Sequence, residues 1–347
     1  MNLKKGLVLA FVVLLLLGAL AGCGGQEAAQ EPEKAEEAKG EEEAKEPESK
    51  WPEKTIEFVV PWKAGGGSDT MARSITKAIK EGNISPVPVV VVNKPGGNGQ
   101  IGEAYVINKK GDPYTWMTLS SGQISIPLAG LGDIKATDFT ALAQMAGDTL
   151  FLVVPADSKF NTLEDVVKAA KANPEGLKIG GSGSGTEDHI VTYLFEKAAG
   201  IKFNYIAFSG GSEVMSNLMG GHVDLAWANP NECLSQVEGG LVEVLGVTTE
   251  ERLDSTPDIP TFRELGYDVV FWQVRGVHGP PGMPKEAVEG SIEILRKVSE
   301  SDTWKEKYLE AKMLTPRFIP GDDYTKVIKD NEDMFREALG SMGLLKE

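Results

Sequence analysis

Two glycine- and hydroxyl-rich runs concentrate the residues that could do chemistry. Lys63-Ala64-Gly65-Gly66-Gly67-Ser68-Asp69 is the first; Ser182-Gly183-Ser184-Gly185-Thr186, with His189 close behind, is the second. Consecutive glycines let backbone N–H groups converge on one point, and Ser68 or Asp69 can cap a helix that follows. Unpaired N–H groups at a helix N-terminus bind anions. Each run therefore reads as an anion cradle or, more plainly, as a structural strand-to-helix turn. Two cradles facing each other would clamp an anion. A β-carbon at Gly66 or Gly183 is then expected to weaken binding, by blocking close approach or by forbidding a positive φ.

Other chemistries fit the residues less well. The first run lacks the G-x-x-x-x-G-K-[ST] spacing of a P-loop. Ser182 lies in Gly180-Gly181-Ser182-Gly183-Ser184, which is not the G-x-S-x-G of a hydrolase nucleophile. The three histidines, at 189, 222 and 278, lack metal-ligand spacing. No catalytic residue, metal or cofactor is expected; hydrolysis is an alternative that an ester or amide assay would separate.

The elements that must position the runs can be read around them. Residues 55–60 are β-rich and end at Pro61, and residues 70–80 carry apolar positions at helical spacing (Met71, Ile75, Ile79). Residues 87–92 read as a second strand, followed by the Asn93-Lys94-Pro95-Gly96-Gly97-Asn98-Gly99 turn and a helix from Ile101. Residues 114–119 read as a third strand, with Ser120 and Ser121 at its C-terminal end. A second unit repeats the order: a strand at 151–155, a helix opened by Thr162 to Asp165, a strand at 178–180, the second glycine run, and a helix over 190–199. Alternating strands and helices predict parallel α/β layers.

The chain has 347 residues, a formal charge of −16 and 41% hydrophobic residues, enough for two domains with real cores. Its acidity argues against nucleic acid, which needs a basic surface; an anion must be held by a local site. Lys4 and Lys5 precede an apolar stretch at 7–17 that ends in Leu20-Ala21-Gly22-Cys23. That pattern suits a signal peptide better than a membrane span. The small residues before Cys23 resemble a bacterial lipobox, which makes Cys23 the expected lipidation site and residues 1–22 a cleaved signal. Acyl chains contribute about 0.8 kcal/mol per buried CH₂. Residues 24–50 hold ten Glu and four Lys and no Val, Ile, Leu or aromatic residue, so 23–50 read as a disordered acidic tether or a solvated Glu/Lys helix. The other cysteine, Cys233, has no disulfide partner in the mature chain and reads as a buried thiol.

The order Pro-Trp-Lys-Ala-Gly-Gly-Gly-Ser-Asp (61–69), Val-Asn-Lys-Pro-Gly-Gly-Asn-Gly (92–99), Gly-Ser-Gly-Ser-Gly-Thr-x-x-His (181–189) and Gly-Gly-His-Val-Asp-Leu (220–225) resembles the Bug family, the periplasmic substrate-binding components of tripartite tricarboxylate transporters. The resemblance runs from about Trp51 to the C-terminus. It implies a type II periplasmic-binding-protein fold: two α/β domains joined by two crossover strands, with a ligand cleft between them. The crossings are placed near 148–150 and 272–276. Domain 1 is then 51–148 plus 274–347, and domain 2 is 149–273.

The resemblance also implies a bound carboxylate, held by residues 64–69 of the first turn and 182–186 of the second. Ser121 and His189 join this set, His189 either as a ligand contact or as a capping or packing residue. Two departures stand out. The family's frequent Pro-Tyr-Lys-Gly is Ala207-Phe208-Ser209-Gly210 here, and its frequent Asp-Asn is Ala228-Asn229; Ser209 and Asn229 are the residues carried over. The missing Asp argues against an amino-acid ligand. Lys63 at the cleft mouth and Arg275 before Gly276 are the cations placed nearest the ligand, or facing solvent. The expected protein is a monomeric, extracytoplasmic, lipid-anchored receptor, not an enzyme, that delivers a small di- or tricarboxylate to membrane permease subunits. A receptor feeding a sensor kinase is the alternative.

Overall fold

The computed structural model describes residues 51–346. The signal peptide, Cys23 and the tether lie outside the described residues. Within them, strands and helices alternate in two groups. The first strands are β1 (Ile56–Val60), β2 (Val89–Asn93), β3 (Thr115–Ser120) and β4 (Thr140–Asp148). The next are β5 (Phe151–Pro155), β6 (Lys178–Ser182), β7 (Asn204–Phe208), β8 (Leu225–Ala228) and β9 (Val242–Val247). The chain then returns through β10 (Gln273–Gly279) and β11 (Thr315–Pro320) to the first sheet, whose order is β11-β4-β10-β3-β1-β2; the second is β7-β6-β8-β5-β9.

Helices fill the intervals: α1 (Gly67–Glu81), α2 (Gln100–Ile107), α3 (Gly122–Leu128), α4 (Leu163–Ala172), α5 (Glu187–Ala199), α6 (Gly211–Met219), α7 (Pro230–Glu238), α8 (Lys285–Glu300), the short α9 (Asp302–Trp304) and α10 (Gly321–Ser341). Helix α1 buries Met71, Ala72, Ile75, Ala78 and Ile79, the stripe its spacing predicts. Helix α4 starts where a capping box dictates: Thr162 Oγ1 accepts the Asp165 N–H at 3.2 Å, and Asp165 Oδ2 accepts the Thr162 N–H at 3.1 Å. No helix among the described residues is long and apolar enough to cross a membrane.

The sheets are mixed, not the parallel layers expected. β1 is parallel to β2 and β3, but β10 runs antiparallel to β3 and β4. In the second sheet β6 is parallel to β7 and β8, while β5 is antiparallel to β8 and β9. The reason is the double crossing. A strand that enters a sheet from the other half cannot use a βαβ return and inserts in the opposite direction.

The two crossings lie side by side and are tied together. The chain leaves β4 at Asp148 and enters β5 at Phe151; it comes back between Phe271 and Gln273. Buried Thr149 and Thr248 share a hydroxyl hydrogen bond of 3.0 Å, and the Phe271 N–H donates to the Thr248 carbonyl at 2.7 Å. Helix α10 then spans both halves. Ile328, Phe335 and Leu339 share one buried cluster with Ile124 of α3 and Ile190 and Phe195 of α5, and Lys197 of α5 pairs with Glu337.

Candidate functional site

The first glycine run turns the chain from β1 into α1. Gly65 takes φ +88° and donates its N–H to Asp69 Oδ2 at 2.9 Å. The same carboxylate accepts Arg73 Nε at 2.9 Å and, on Oδ1, Asn93 Nδ2 at 2.9 Å. The Arg73 hydrogen bond, helped by Gly65 and Asn93, outweighs burial and holds this carboxyl at about 2. Asp69 therefore locks the turn; neither it nor Ser68 caps α1, whose N-cap is Gly66 with no side-chain hydrogen bond. The N–H groups of Gly66, Gly67 and Ser68 are left without partners among the described residues, at the positive end of a fifteen-residue helix.

Arg275 completes the anion site from β10. Its Nη2 donates to Asp148 Oδ2 at 2.5 Å, with side chains 19% and 1% exposed. Burial opposes the guanidinium charge, but Asp148, with Tyr308 and Glu187, more than offsets it, and the net shift is upward. A β-carbon built on Gly67 would stand 2.6 Å from Arg275 Nη1. The guanidinium thus lies directly against the first turn. Between them is a cavity of about 360 Å³ lined by Gly66, Gly67, Ser68, Ser121, Arg275 and Glu187, with Trp62, Ser120, Gln273 and Val274 completing the wall. That volume is in the range of small-molecule sites, about 300–1,000 Å³. Ser121 is fully buried and its Oγ accepts the Val274 N–H at 2.7 Å, which joins the end of β3 to the crossing strand.

The second glycine run is built differently. Gly183 and Gly185 take φ of +77° and +75°, yet most of the N–H groups in this run are already used. Ser182 N–H donates to Asp188 Oδ2 at 2.7 Å, Gly183 N–H to the Phe208 carbonyl at 2.8 Å and Gly185 N–H to His189 Nδ1 at 3.2 Å. The Thr186 hydroxyl donates to the Ser182 carbonyl, and Tyr205 to the Gly183 carbonyl at 2.8 Å. Burial pushes the Asp188 carboxyl up to about 7 against the pull of these Ser182 bonds. His189 stacks flat on Tyr205, with ring centroids 4.0 Å apart, and burial lowers its pKa. It is the neutral acceptor that pins the turn.

Of the expected contacts, then, Gly66, Gly67, Ser68, Ser121 and Arg275 line one cavity. Ser182, Gly183, Ser184, Gly185, Thr186 and His189 do not line it, and the N–H groups of Ser182, Gly183 and Gly185 are held by Asp188, the Phe208 carbonyl and His189; this half contributes Glu187 at the first position of α5. The first turn opens on this cavity, and the second, with three of its N–H groups already bonded, does not line it. Lys63 and Ala64 are exposed and, with Gly65, lie outside the cavity wall. Ser209 is bound through its N–H (2.9 Å) and hydroxyl (2.5 Å) to Glu213. Asn229 Nδ2 spans the crossings, donating to the Thr149 carbonyl at 3.0 Å and Gln273 Oε1 at 3.1 Å. Sequence reasoning missed Glu187, which was readable as an acid at a helix start beside a glycine turn. It also missed Asp148, for which no local signal exists. Cys233 is fully buried, and burial pushes its thiol up to about 12, an inert state.

This geometry reassigns the glycine substitutions. Gly66 has φ −76° and an added β-carbon would meet only the Lys63 carbonyl at 3.6 Å, so Gly66→Ala should bind ligand within about twofold of the parent. Gly67→Ala presses on the Arg275 guanidinium and should weaken binding about tenfold or more, the equivalent of one hydrogen bond. Gly183→Ala combines positive φ with a 2.6 Å approach to Thr186 Cγ2 and should lose about 1–2 kcal/mol of stability. Calorimetry and thermal melts on the three variants decide; equal damage from Gly66→Ala and Gly67→Ala would contradict the cradle's orientation.

Two mixed α/β halves joined by a double crossing, with an anion-competent cleft beside it, define a two-lobed solute receptor. Residues 71–344 match the model of the tripartite tricarboxylate transporter family receptor, TctC, and the chain belongs to that family. It is 30% identical over 224 residues to the protein BugT of Bordetella pertussis, covering 62% of this chain and 67% of BugT. A TctC solute-binding protein from Polaromonas, solved without ligand, superposes with a TM-score of 0.76 at 28% identity, covering 84% of this chain and 99% of that one. The R. palustris protein Rpa4515, solved with adipate, superposes with a TM-score of 0.69 at 25% identity, covering 84% and 98%.

Proposed function

We propose that this protein is an extracytoplasmic receptor, lipid-anchored through Cys23, that captures a small di- or tricarboxylate in the cleft and delivers it to the membrane permease subunits of a tripartite transporter. The observation that carries the reading is the row of N–H groups at Gly66, Gly67 and Ser68, unpartnered among the described residues, set against the Arg275 guanidinium across one small cavity. Planar forked donors and helix N-termini are both matched to a carboxylate. The adipate complex of Rpa4515 supports the ligand class. The receptor acts as a monomer, with domain 1 formed by 51–148 plus 274–347 and domain 2 by 149–273. Titration calorimetry against C4–C6 di- and tricarboxylates tests the capture: a 1:1 isotherm is expected, and a panel without heat or thermal stabilisation would contradict it. The anchor is tested separately. Cys23→Ser should move the protein from the membrane to the soluble fraction; a variant that stays with membranes through a high-salt wash would overturn lipidation at that residue.

A further inference from the structure

A second groove, of about 800 Å³, shares no lining residue with the anion site: Trp272 lines the groove and its neighbour Gln273 lines the site. Consecutive residues of an extended strand point to opposite sides, so the two cavities flank the returning crossing. Three side chains bridge the groove region. Glu250 Oε2 accepts the Trp272 indole N–H at 2.5 Å. The Arg317 guanidinium lies over the Trp272 ring, 4.8 Å from its centroid, and its Nη1 is 3.7 Å from Glu250 Oε1. Glu250 follows β9 of the second sheet, whereas Arg317 lies in β11, the edge strand of the first. The register of β11 on β4 shifts between Pro316 and Ile319, and Arg317 sits in that irregularity, the kind of place where a strand re-aims a side chain. Arg317 and Glu250 are 29% and 40% exposed, so solvent screens their attraction only in part.

We propose that Glu250, Trp272 and Arg317 form a latch behind the crossings that holds the cleft open and so sets the affinity of the receptor. Two-lobed receptors close around their ligands by hinge rotation. Here the crossings are the pivot, because the chain passes between the sheets there. Groups on opposite sides of a pivot move in opposite senses. A rotation that brings Glu187 toward the first turn therefore carries Glu250 away from Arg317, and closure must break the latch. Apparent affinity scales with the fraction of molecules in the binding-competent form, so the latch weakens binding while it keeps the empty cleft open to entry. The latch goes beyond the carboxylate-receptor reading, since the spacing of the two halves can be read with no acid present.

Spin labels on Lys63→Cys and Ser184→Cys, both exposed and outside the cavity wall, report that spacing by pulsed dipolar spectroscopy. Cys233 is fully buried, and on the reading above Cys23 is acylated. Glu250→Gln and Arg317→Gln should each shift the acid-free distance distribution to shorter values. In calorimetry with succinate, adipate and citrate, the same variants should bind the tightest of these acids about three- to tenfold more tightly, the worth of a part-exposed ion pair with a charge-assisted hydrogen bond. The double variant should add little to either single one, because both remove the same contact. Glu337→Gln removes a more exposed pair between the halves, to Lys197, and should shift the distances far less. Unchanged distances, unchanged or weaker binding, or an equal shift from Glu337→Gln overturns the latch. If the distances shorten and none of the acids binds, the latch stands and the carboxylate-receptor reading falls.

Discussion

Arg275→Ala is expected to weaken carboxylate binding by about a hundredfold or more. Truncating one partner of a buried, hydrogen-bonded charge pair costs about 2–5 kcal/mol, and each 1.4 kcal/mol is about a tenfold change in affinity. Two losses combine here. The ligand loses its forked donor, and Asp148, 1% exposed, loses its ion-pair partner. Arg275→Lys should recover only part of the affinity, because an ammonium cannot bond Asp148 and a ligand carboxylate in one plane. Adding Asp148→Asn to Arg275→Ala should restore melting temperature more than binding, which separates the structural loss from the ligand contact. Binding of Arg275→Ala within threefold of the parent would remove the guanidinium from the site.

Gly276→Ala should have the largest effect on stability of the single-methyl changes near the site. Gly276 lies in β10, between β3 and β4. A β-carbon there would stand 2.0 Å from Tyr324 Oη, 2.5 Å from its Cζ and 3.0 Å from the Ala143 carbonyl oxygen. Tyr324 is fully buried in α10, and β10 is hydrogen-bonded on both edges, so neither can move freely. Overpacking of this kind costs about 1–3 kcal/mol and sometimes more. A loss near 3 kcal/mol corresponds to a melting temperature lower by roughly 5 °C in a folded chain of about 300 residues. The Tyr324 hydroxyl has no hydrogen-bond partner among the described residues, so Tyr324→Phe alone should cost little, and combined with Gly276→Ala it should return part of the lost stability. A double-mutant cycle with no coupling would place the strain elsewhere.

The strands, helices and turns of the cleft were largely legible because their signals are local. Residues 55–60 and 178–180 are β-rich beside glycine turns, and Met71, Ile75 and Ile79 mark the buried face of α1. The asymmetry of the two turns was not legible, because similar glycine patterns behave differently according to which side chains consume their N–H groups. In the first turn Asp69 takes only the Gly65 N–H. In the second, Asp188, His189 and the Phe208 carbonyl take three, and Phe208 arrives from β7, more than twenty residues on. The pairing of Arg275 with Asp148 spans 127 residues and depends on the register of β10 against β4. The mixed sheet directions and the reach of α10 onto α5 likewise follow from the double crossing, which no periodicity encodes. The resemblance to the Bug family supplied that crossing; the physics of local sequence did not.

The first turn and Arg275, not the second turn, are expected to hold the ligand carboxylate. The crystal structure of the complex with the tightest-binding acid tests it most directly. Carboxylate oxygens are expected within hydrogen-bond distance of an Arg275 guanidinium nitrogen and of the Gly67 or Ser68 N–H, with the Gly185 N–H still on His189 Nδ1. A carboxylate held by the N–H groups of Ser182 to Gly185, with those internal bonds broken and Arg275 still turned to Asp148 alone, would contradict it.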